Sequence, residues 1–286
     1  MEVLRSVAEV RHWSQQCKGQ GQKVGLVPTM GALHEGHQQL ILASVERGCR
    51  TAVSIFVNPL QFGPGEDYDG YPRCLDEDLV LAAKVGADVV FAPTVDEMYP
   101  AGNVKTRVEV GEVGQVLCGV SRPIHFSGMA TVVTKLLNMV QPSLAFFGAK
   151  DAQQVAVVRQ VVRDLNIPVE IVAVPTVREP SGLALSSRNR YLTADEHERA
   201  SAIFRGLTAA LTLYRKGQRQ QSVLLDAVRS VLEAAGMEPE YIEIRSWDSL
   251  DLLPEVLPEI PALLATATRL GKARLIDNVI LDPQCR

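Results

Sequence analysis

At 286 residues the chain is long enough to bury about three quarters of the surface its unfolded form exposes, in one core or two. It is 47% apolar and 22% charged with a formal net charge of -4, the make-up of an ordinary globular protein, and no sequence-wide basic field points to nucleic acid. The five cysteines, Cys17, Cys49, Cys74, Cys118 and Cys285, form no Cys-x-x-Cys pair and are odd in number, so they read as scattered reduced thiols of a cytosolic protein.

The N-terminal stretch MEVLRSVAEVRHW is charged throughout and lacks an apolar signal core. No run approaches the ~18 apolar residues of a membrane span, so a cytoplasmic protein is expected. VGLVPT (24–29) predicts a strand, and 37–48 a helix with Leu40, Ile41, Ala43, Ser44 and Val45 on a mixed buried face. TAVSIFV (51–57) is an apolar, β-branched run and predicts a buried strand. LDEDLVLAAKVG (75–86) predicts a helix closing on Gly86, and DVVFAP (88–93) a strand. GMATVVTKLLNMV (128–140) and DAQQVAVVRQVVRDL (151–165) predict helices; LAFFG (144–148) and VEIVAVP (169–175) predict strands. Strands alternating with helices imply βαβ units and a parallel sheet with helices on both faces. Apolar strands without alternation suit burial on two sides.

The C-terminal part differs. Thr193 and Glu196 form a capping box opening a helix toward Gly217, and a second helix covers 220–235. YIEIRSW (241–247), LLATATRL (263–270) and ARLIDNVIL (273–281) predict strands, with Gly271 at a turn. The expected fold class is α/β: a Rossmann-like parallel-sheet N-terminal domain, 1–176, and a smaller α+β C-terminal domain, 177–286. The division falls in the loop that begins at Val177 and ends near Arg190.

The segment PTMGALHEGHQQL (28–40) leaves a strand and enters a helix. Gly31 and Gly36 let backbone approach a ligand closely, and the helix N-terminus offers free N–H groups and a positive dipole to phosphate. His34 and His37, three residues apart, can face one side of the first turn and hydrogen-bond phosphate oxygens; His37 could also supply a proton or positive charge. The spacing alone also admits a metal pair, with Glu35 as its neighbouring carboxylate, or two surface histidines. LALSSRNRYL (183–192) offers two hydroxyls and a guanidinium to polyphosphate through Ser186, Ser187 and Arg188, or is a solvated turn between domains. Asp76, Glu77 and Asp78 read as charge bias at a helix N-terminus, with Glu77 and Asp78 also candidates for holding Mg²⁺. Glu66, Asp67 and Asp69 are expected to keep the loop 62–72 soluble, and its glycines Gly63, Gly65 and Gly70 make it a candidate lid. Lys150 beside Asp151 can be an exposed ion pair, Gln153 and Gln154 a solvated helix face, and His12 and His197 surface residues.

His-x-Gly-His after the first strand, followed far along the chain by a basic, serine-containing loop, resembles the nucleotidyltransferase superfamily, whose members attack the α-phosphate of ATP. Three further segments, SIFVNPLQFGPGEDYDGYPR (54–73), RPIHFSGM (122–129) and FFGAKDAQQ (146–154), narrow the likeness. Together with PTMGALHEGH and LALSSRNRYL they resemble the pantothenate synthetase family in wording and order, densely over residues 24–192 and more loosely beyond. The resemblance implies that ATP, pantoate and β-alanine are condensed to pantothenate through a pantoyl-adenylate, with AMP and pyrophosphate released and Mg²⁺ present. It implies an ATP site lined by Met30, Gly31, Ala32, Leu33, His34, Glu35, Gly36 and His37. Gly148, Ala149, Lys150 and Asp151, with Val177, Leu185, Ser186, Ser187 and Arg188, complete the nucleotide contacts, and the smaller domain closes over them. Catalytic roles fall to His37 as general acid, His34, Lys150 and Arg188, and pantoate is gripped by Gln61 and Gln154. Arg122 and His125 match a loop near pantoate and the dimer contact of a homodimer; no nucleic acid or membrane partner is implied. Many members carry Met where this chain has Leu185, a swap that conserves volume and apolarity. Two other readings compete: an adenylyltransferase that passes AMP to a phosphate ester, and a nucleotide-binding regulatory module without catalysis.

Overall fold

The computed structural model describes residues 1–100, 102, 104–257 and 259–282; Cys285 lies outside the described residues. The chain divides into two compact units, one of Met1–Gln115, Gly119–Ala149 and Val157–Pro175, the other of Val116–Cys118, Lys150–Ala156 and Thr176–Arg286. Sequence reading places a single cut at 176/177. The structure in addition gives 116–118 and 150–156 to the second unit, because hydrogen bonds hold them there: the Asn278 side-chain amide donates to the Lys150 carbonyl, and the Cys118 thiol meets the Tyr241 hydroxyl.

Up to residue 175 the elements are β1 (Glu2–Leu4), α1 (Val7–Gly19), β2 (Val24–Thr29), α2 (Glu35–Glu46), β3 (Arg50–Ile55), α3 (Leu75–Val85), β4 (Val89–Phe91), α4 (Val95–Met98), α5 (Cys118–Ser121), α6 (His125–Val140), β5 (Leu144–Gly148), α7 (Ala152–Asp164) and β6 (Glu170–Val174). The six strands form one sheet in the order β1-β4-β3-β2-β5-β6, every pair parallel. Val24 pairs with Arg50 and Gly25 with Leu144, so β2 is central. From β2 the chain steps outward to β3 and β4, then returns to place β5 on the other side of β2. The order therefore reverses between β2 and β5, where open α/β sheets bind ligands beyond the strands' carboxyl ends. Leu40 and Ile41 of α2 and Ala82 of α3 pack on Val27, Val53, Val90 and Phe146; each large apolar side chain so buried contributes roughly 1.5–3 kcal/mol. Helix α3 ends as expected on Gly86, at φ 101°. The short edge strand β1 and helix α1 were not predicted; α1 opens with a Ser6-x-x-Glu9 capping box.

In the second unit, α8 (Ala194–Ala200), α9 (Ala202–Arg215) and α10 (Gln221–Ala234) accompany an antiparallel sheet of β7 (Pro239–Ser246), β8 (Ala262–Leu270) and β9 (Ala273–Leu281). The Thr193 capping box is present. The single helix expected from it is two, joined at Ser201, whose hydroxyl donates back to the Glu198 carbonyl at 2.7 Å and competes with the helical ladder. Ile203, Leu207, Leu224, Val228 and Leu232 of the helices form one core with Ile242, Leu264, Leu275 and Leu281 of the strands.

Candidate active site

The first cluster leaves the carboxyl end of β2. Gly31 (φ 85°) and Ala32 (φ 51°) are both left-handed, which turns the backbone so that two successive amides point one way. The Ala32 and Leu33 amides donate to the two carboxylate oxygens of Asp78, at 2.9 and 2.6 Å. Asp78 sits in the first turn of α3 with 3% of its surface exposed, so it acts as a buried clasp for this loop. The Thr29 hydroxyl donates to the Ser54 carbonyl and accepts from the Gly31 amide, fixing the loop's start.

The loop delivers the chain into α2 through a capping box made of histidines. His34 Nδ1 accepts from the Gly36 amide at 3.1 Å, and His37 Nδ1 accepts from the His34 amide at 3.3 Å. The two rings lie 4.2 Å apart, centroid to centroid. A ring nitrogen that accepts carries no proton, so each neutral imidazole is the tautomer with its N–H on Nε2, the edge distal to the backbone. Two N–H donors are thus set side by side at a helix N-terminus, an arrangement suited to phosphate oxygens. Met30 belongs to the same cluster: its sulfur accepts from the Gln61 side-chain amide at 3.1 Å.

Gln61 ends a short turn, Pro59–Gln61, and is 7% exposed. Asn58 positions it. The Asn58 amide donates to Gln61 Oε1 (3.0 Å) and to the Gly128 carbonyl (3.1 Å), while its oxygen accepts from the Tyr99 hydroxyl at 2.7 Å. Burial pushes the Tyr99 phenol well above its ordinary range, so it stays a donor. Helix α6 meets this turn at Gly128, where an added Cβ would clash with the Leu60 carbonyl oxygen. His125 Nδ1 donates to the Gln61 carbonyl at 2.9 Å. Arg122 holds Glu66 through two hydrogen bonds, 2.9 and 2.6 Å. Burial pushes the Glu66 carboxyl up, but the Arg122 hydrogen bond and charge, with the charge of His125, outweigh it and hold the group below its ordinary value. Glu66 is therefore an anchor of the 62–72 loop and not only the solubilising charge expected. Phe62 packs edge-on against Tyr68 and Tyr71, and Arg73 donates to the carbonyls of Tyr68, Asp69 and Tyr71.

Gly148, which ends β5, and Ala149 belong to the first unit; the second unit carries Lys150, Asp151, Gln154, Val177 and Leu185 to Arg188. Lys150 lies in the turn Ala149–Asp151, its amine 3.7 Å from the Asp151 carboxylate and its side chain 17% exposed, more buried than an open ion pair. Gln153 is no solvated face: it is buried, accepts from the Cys118 amide and donates to the Val116 carbonyl. Gln154, next to it, is half-buried. Val177 and Leu185 are joined by a hydrogen bond from the Leu185 amide to the Val177 carbonyl, and Arg178 bridges to Ala184. Ser186 caps the following turn, Ser187–Tyr191, accepting from the Arg188 amide at 3.2 Å.

Glu77 and Asp78, named as possible Mg²⁺ ligands, do not fit a shared cation. Glu77 is exposed, whereas Asp78 is buried with both oxygens on backbone amides. Among the described residues no group of three or more His, Cys, Asp or Glu side chains is gathered as a metal site. His12 is exposed as expected; His197 is half-exposed and pairs with Glu179 at 3.0 Å. Asn58, Tyr99 and the clasp role of Asp78 were missed. Asn-Pro at 58–59 carried a signal, since Asn before Pro favours turn initiation and an asparagine side chain caps its own backbone two residues on.

Comparison with known proteins places this arrangement. A model of the pantoate-β-alanine ligase family matches residues 2–280. The pantothenate synthetase of Coprothermobacter proteolyticus is 48% identical over 285 residues, 99% of each chain, and that of Myxococcus xanthus is 50% identical over 280 residues, 98% of this chain and 96% of its own. The crystal structure of pantothenate synthetase from Thermus thermophilus is similar with a TM-score of 0.91 at 43% identity, over 99% of this chain and 100% of that one. The pantoate-β-alanine ligase of Francisella tularensis, solved in complex with β-γ ATP and β-alanine, is similar with a TM-score of 0.79 at 37% identity, over 98% of both chains.

Proposed function

The chain belongs to the pantoate-β-alanine ligase family and forms pantothenate from pantoate and β-alanine at the expense of ATP; we propose that it does so through a pantoyl-adenylate. The observation that carries this reading is the histidine pair beyond β2, beside the reversal of strand order, with both Nδ1 atoms accepting from backbone amides, which puts the N–H of each neutral ring on Nε2.

A carboxylate is a poor electrophile until its oxygen is made part of a good leaving group. In the first step a pantoate carboxylate oxygen attacks the α-phosphorus of ATP, and the bond from that phosphorus to the bridging oxygen of pyrophosphate breaks. His34 and His37 donate to the oxygens on which charge develops, and His37 is assigned the proton. Lys150, Ser186, Ser187 and Arg188 are assigned to the same polyphosphate as fixed cations and donors. Backbone of residues 30–36, with Gly148, Ala149, Asp151, Val177 and Leu185, is assigned to the rest of the nucleotide. In the second step the β-alanine amine attacks the acyl carbon, AMP leaves with the former carboxylate oxygen, and the amine loses a proton. Gln61 and Gln154 are assigned to pantoate's hydroxyl and carboxylate groups; the rigid Met30, Asn58 and Tyr99 contacts around Gln61 support that role. The adenylate is prone to hydrolysis, so the 62–72 loop is assigned the exclusion of water.

Mg²⁺ belongs to this reading as the companion of the ATP phosphates, with no residue of the chain assigned to it. A homodimer rests on the family resemblance, and a cytoplasmic location on the charged N-terminal stretch and the scattered thiols; no helix among the described residues is long and apolar enough to cross a membrane. Product analysis tests the reading. ATP, pantoate and β-alanine should yield pantothenate and AMP in equal amounts; ADP, a dinucleotide-like product or no turnover would each contradict it.

A further inference from the structure

Within the second unit, two stretches assigned above to the polyphosphate are tied to adjacent residues of one strand. Asp277 and Asn278 lie at the middle of β9, paired with Thr266 and Ala265 of β8, and are 4% and 7% exposed. Successive side chains on a strand point to opposite faces. Asp277 shares the face of Leu275 and Leu281, which pack into the helical core, and there its carboxylate accepts two hydrogen bonds from Arg178, at 2.6 and 3.0 Å. Arg178 stacks on the Phe204 ring at 3.8 Å and bridges to Ala184, so it forms the base of the hairpin that leads into Leu185 and Ser186. Asn278 shares the other face with Arg274. Its side-chain amide donates to the Lys150 carbonyl at 2.8 Å, while Arg274 donates to the Cys118 sulfur at 3.3 Å and the Cys118 amide donates to Gln153.

We propose that Asn278 is a positioning residue for Lys150, and that Asp277 and Asn278 together set the spacing of the two second-unit stretches that hold polyphosphate. The reading rests on the assignment of Lys150 to the nucleotide. A lysine can meet a phosphate productively only from a fixed Cα, because misplacement by about 1 Å at a reacting centre can cost on the order of 10²-fold. The turn Ala149–Asp151 runs directly between β5 and α7, and the Asn278 bond adds a hold on it from 128 residues along the chain. Gln153 keeps its separate hold on 116–118, so loss of the Asn278 donor should disturb Lys150 and leave Gln154 in place.

The test is steady-state kinetics of the full chain carrying Asn278→Ala, with Asn278→Asp, which keeps the shape and lacks the donor, as the second variant. Expected is a fall of about tenfold or more in kcat/KM for ATP, with KM for pantoate and β-alanine unchanged. Expected also is that Asn278→Ala adds little to Lys150→Ala in the double variant, because both act through one group. Leu275→Val, on the same strand and buried, serves as control: it should lower the melting temperature and leave KM for ATP alone. If Asn278→Ala behaves like Leu275→Val while Lys150→Ala cripples ATP use, positioning by Asn278 is overturned and the role of Lys150 stands. If Lys150→Ala leaves ATP use intact, both fall.

Discussion

His37 Nδ1 accepts a backbone hydrogen bond, so only its far nitrogen is in position to serve chemistry. Such a donor acts on charge that appears in the transition state, and removing one typically costs about 10²–10³ in rate. His37→Ala should therefore lower kcat by that order with little change in ATP affinity; near-normal turnover would remove His37 from the mechanism. Asp78 gives a second test. Replacing it by Ala leaves two buried amides unpaired, at about 1–3 kcal/mol each, so Asp78→Ala should lower stability and raise KM for ATP together. A raised Mg²⁺ requirement with unchanged stability would instead make it a cation ligand. Gln154→Ala should raise KM for pantoate by the loss of about 1.5–3 kcal/mol and leave ATP binding nearly intact, which calorimetry with each substrate would show. At this scale the sequence displayed the reacting groups better than their supports. His34, His37, Lys150 and Arg188 stand in motifs whose spacing is local. The clasp by Asp78 spans 46 residues from its Ala32 partner and 45 from Leu33, and nothing in LDEDLV distinguishes the buried third acid from its exposed neighbours.

Elements were legible where burial is two-sided. Central strands β2, β3 and β5 are apolar runs, and each was found within two residues of its observed ends. Strand β1 has three residues at a sheet edge, too few to show a period, although the Ser6-x-x-Glu9 box would have given the helix after it. The loop 62–72 is where an element's stability should answer to pH. Glu66 has a folded-state value below its ordinary one, so its pairing with Arg122 contributes stability that is present above the unfolded carboxylate value and lost as pH falls toward and below about 4.3. Melting curves of the parent and of Glu66→Gln should differ near neutrality and converge as the solution is acidified through that range; a constant gap would show that the pair is not what separates them. Gly128→Ala probes the contact of α6 with the Gln61 turn. Its Cβ would press on the Leu60 carbonyl, so KM for pantoate should rise. An unchanged KM would mean that Gln61 does not depend on that contact.

At the scale of the whole molecule, the proposed route activates the carboxylate through AMP. Many ligases activate a carboxylate as an acyl phosphate and release ADP, and they need a loop to hold a transferring γ-phosphate. No Gly-x-x-x-x-Gly-Lys-Ser/Thr stretch occurs in this chain, whereas paired histidines at a helix N-terminus and a distant Ser-Ser-Arg turn do. The fate of one oxygen atom decides between the two routes. Pantoate labelled with heavy oxygen in its carboxylate should, on turnover with ATP and β-alanine, give labelled AMP and unlabelled pyrophosphate. Labelled inorganic phosphate together with ADP would contradict the adenylate route.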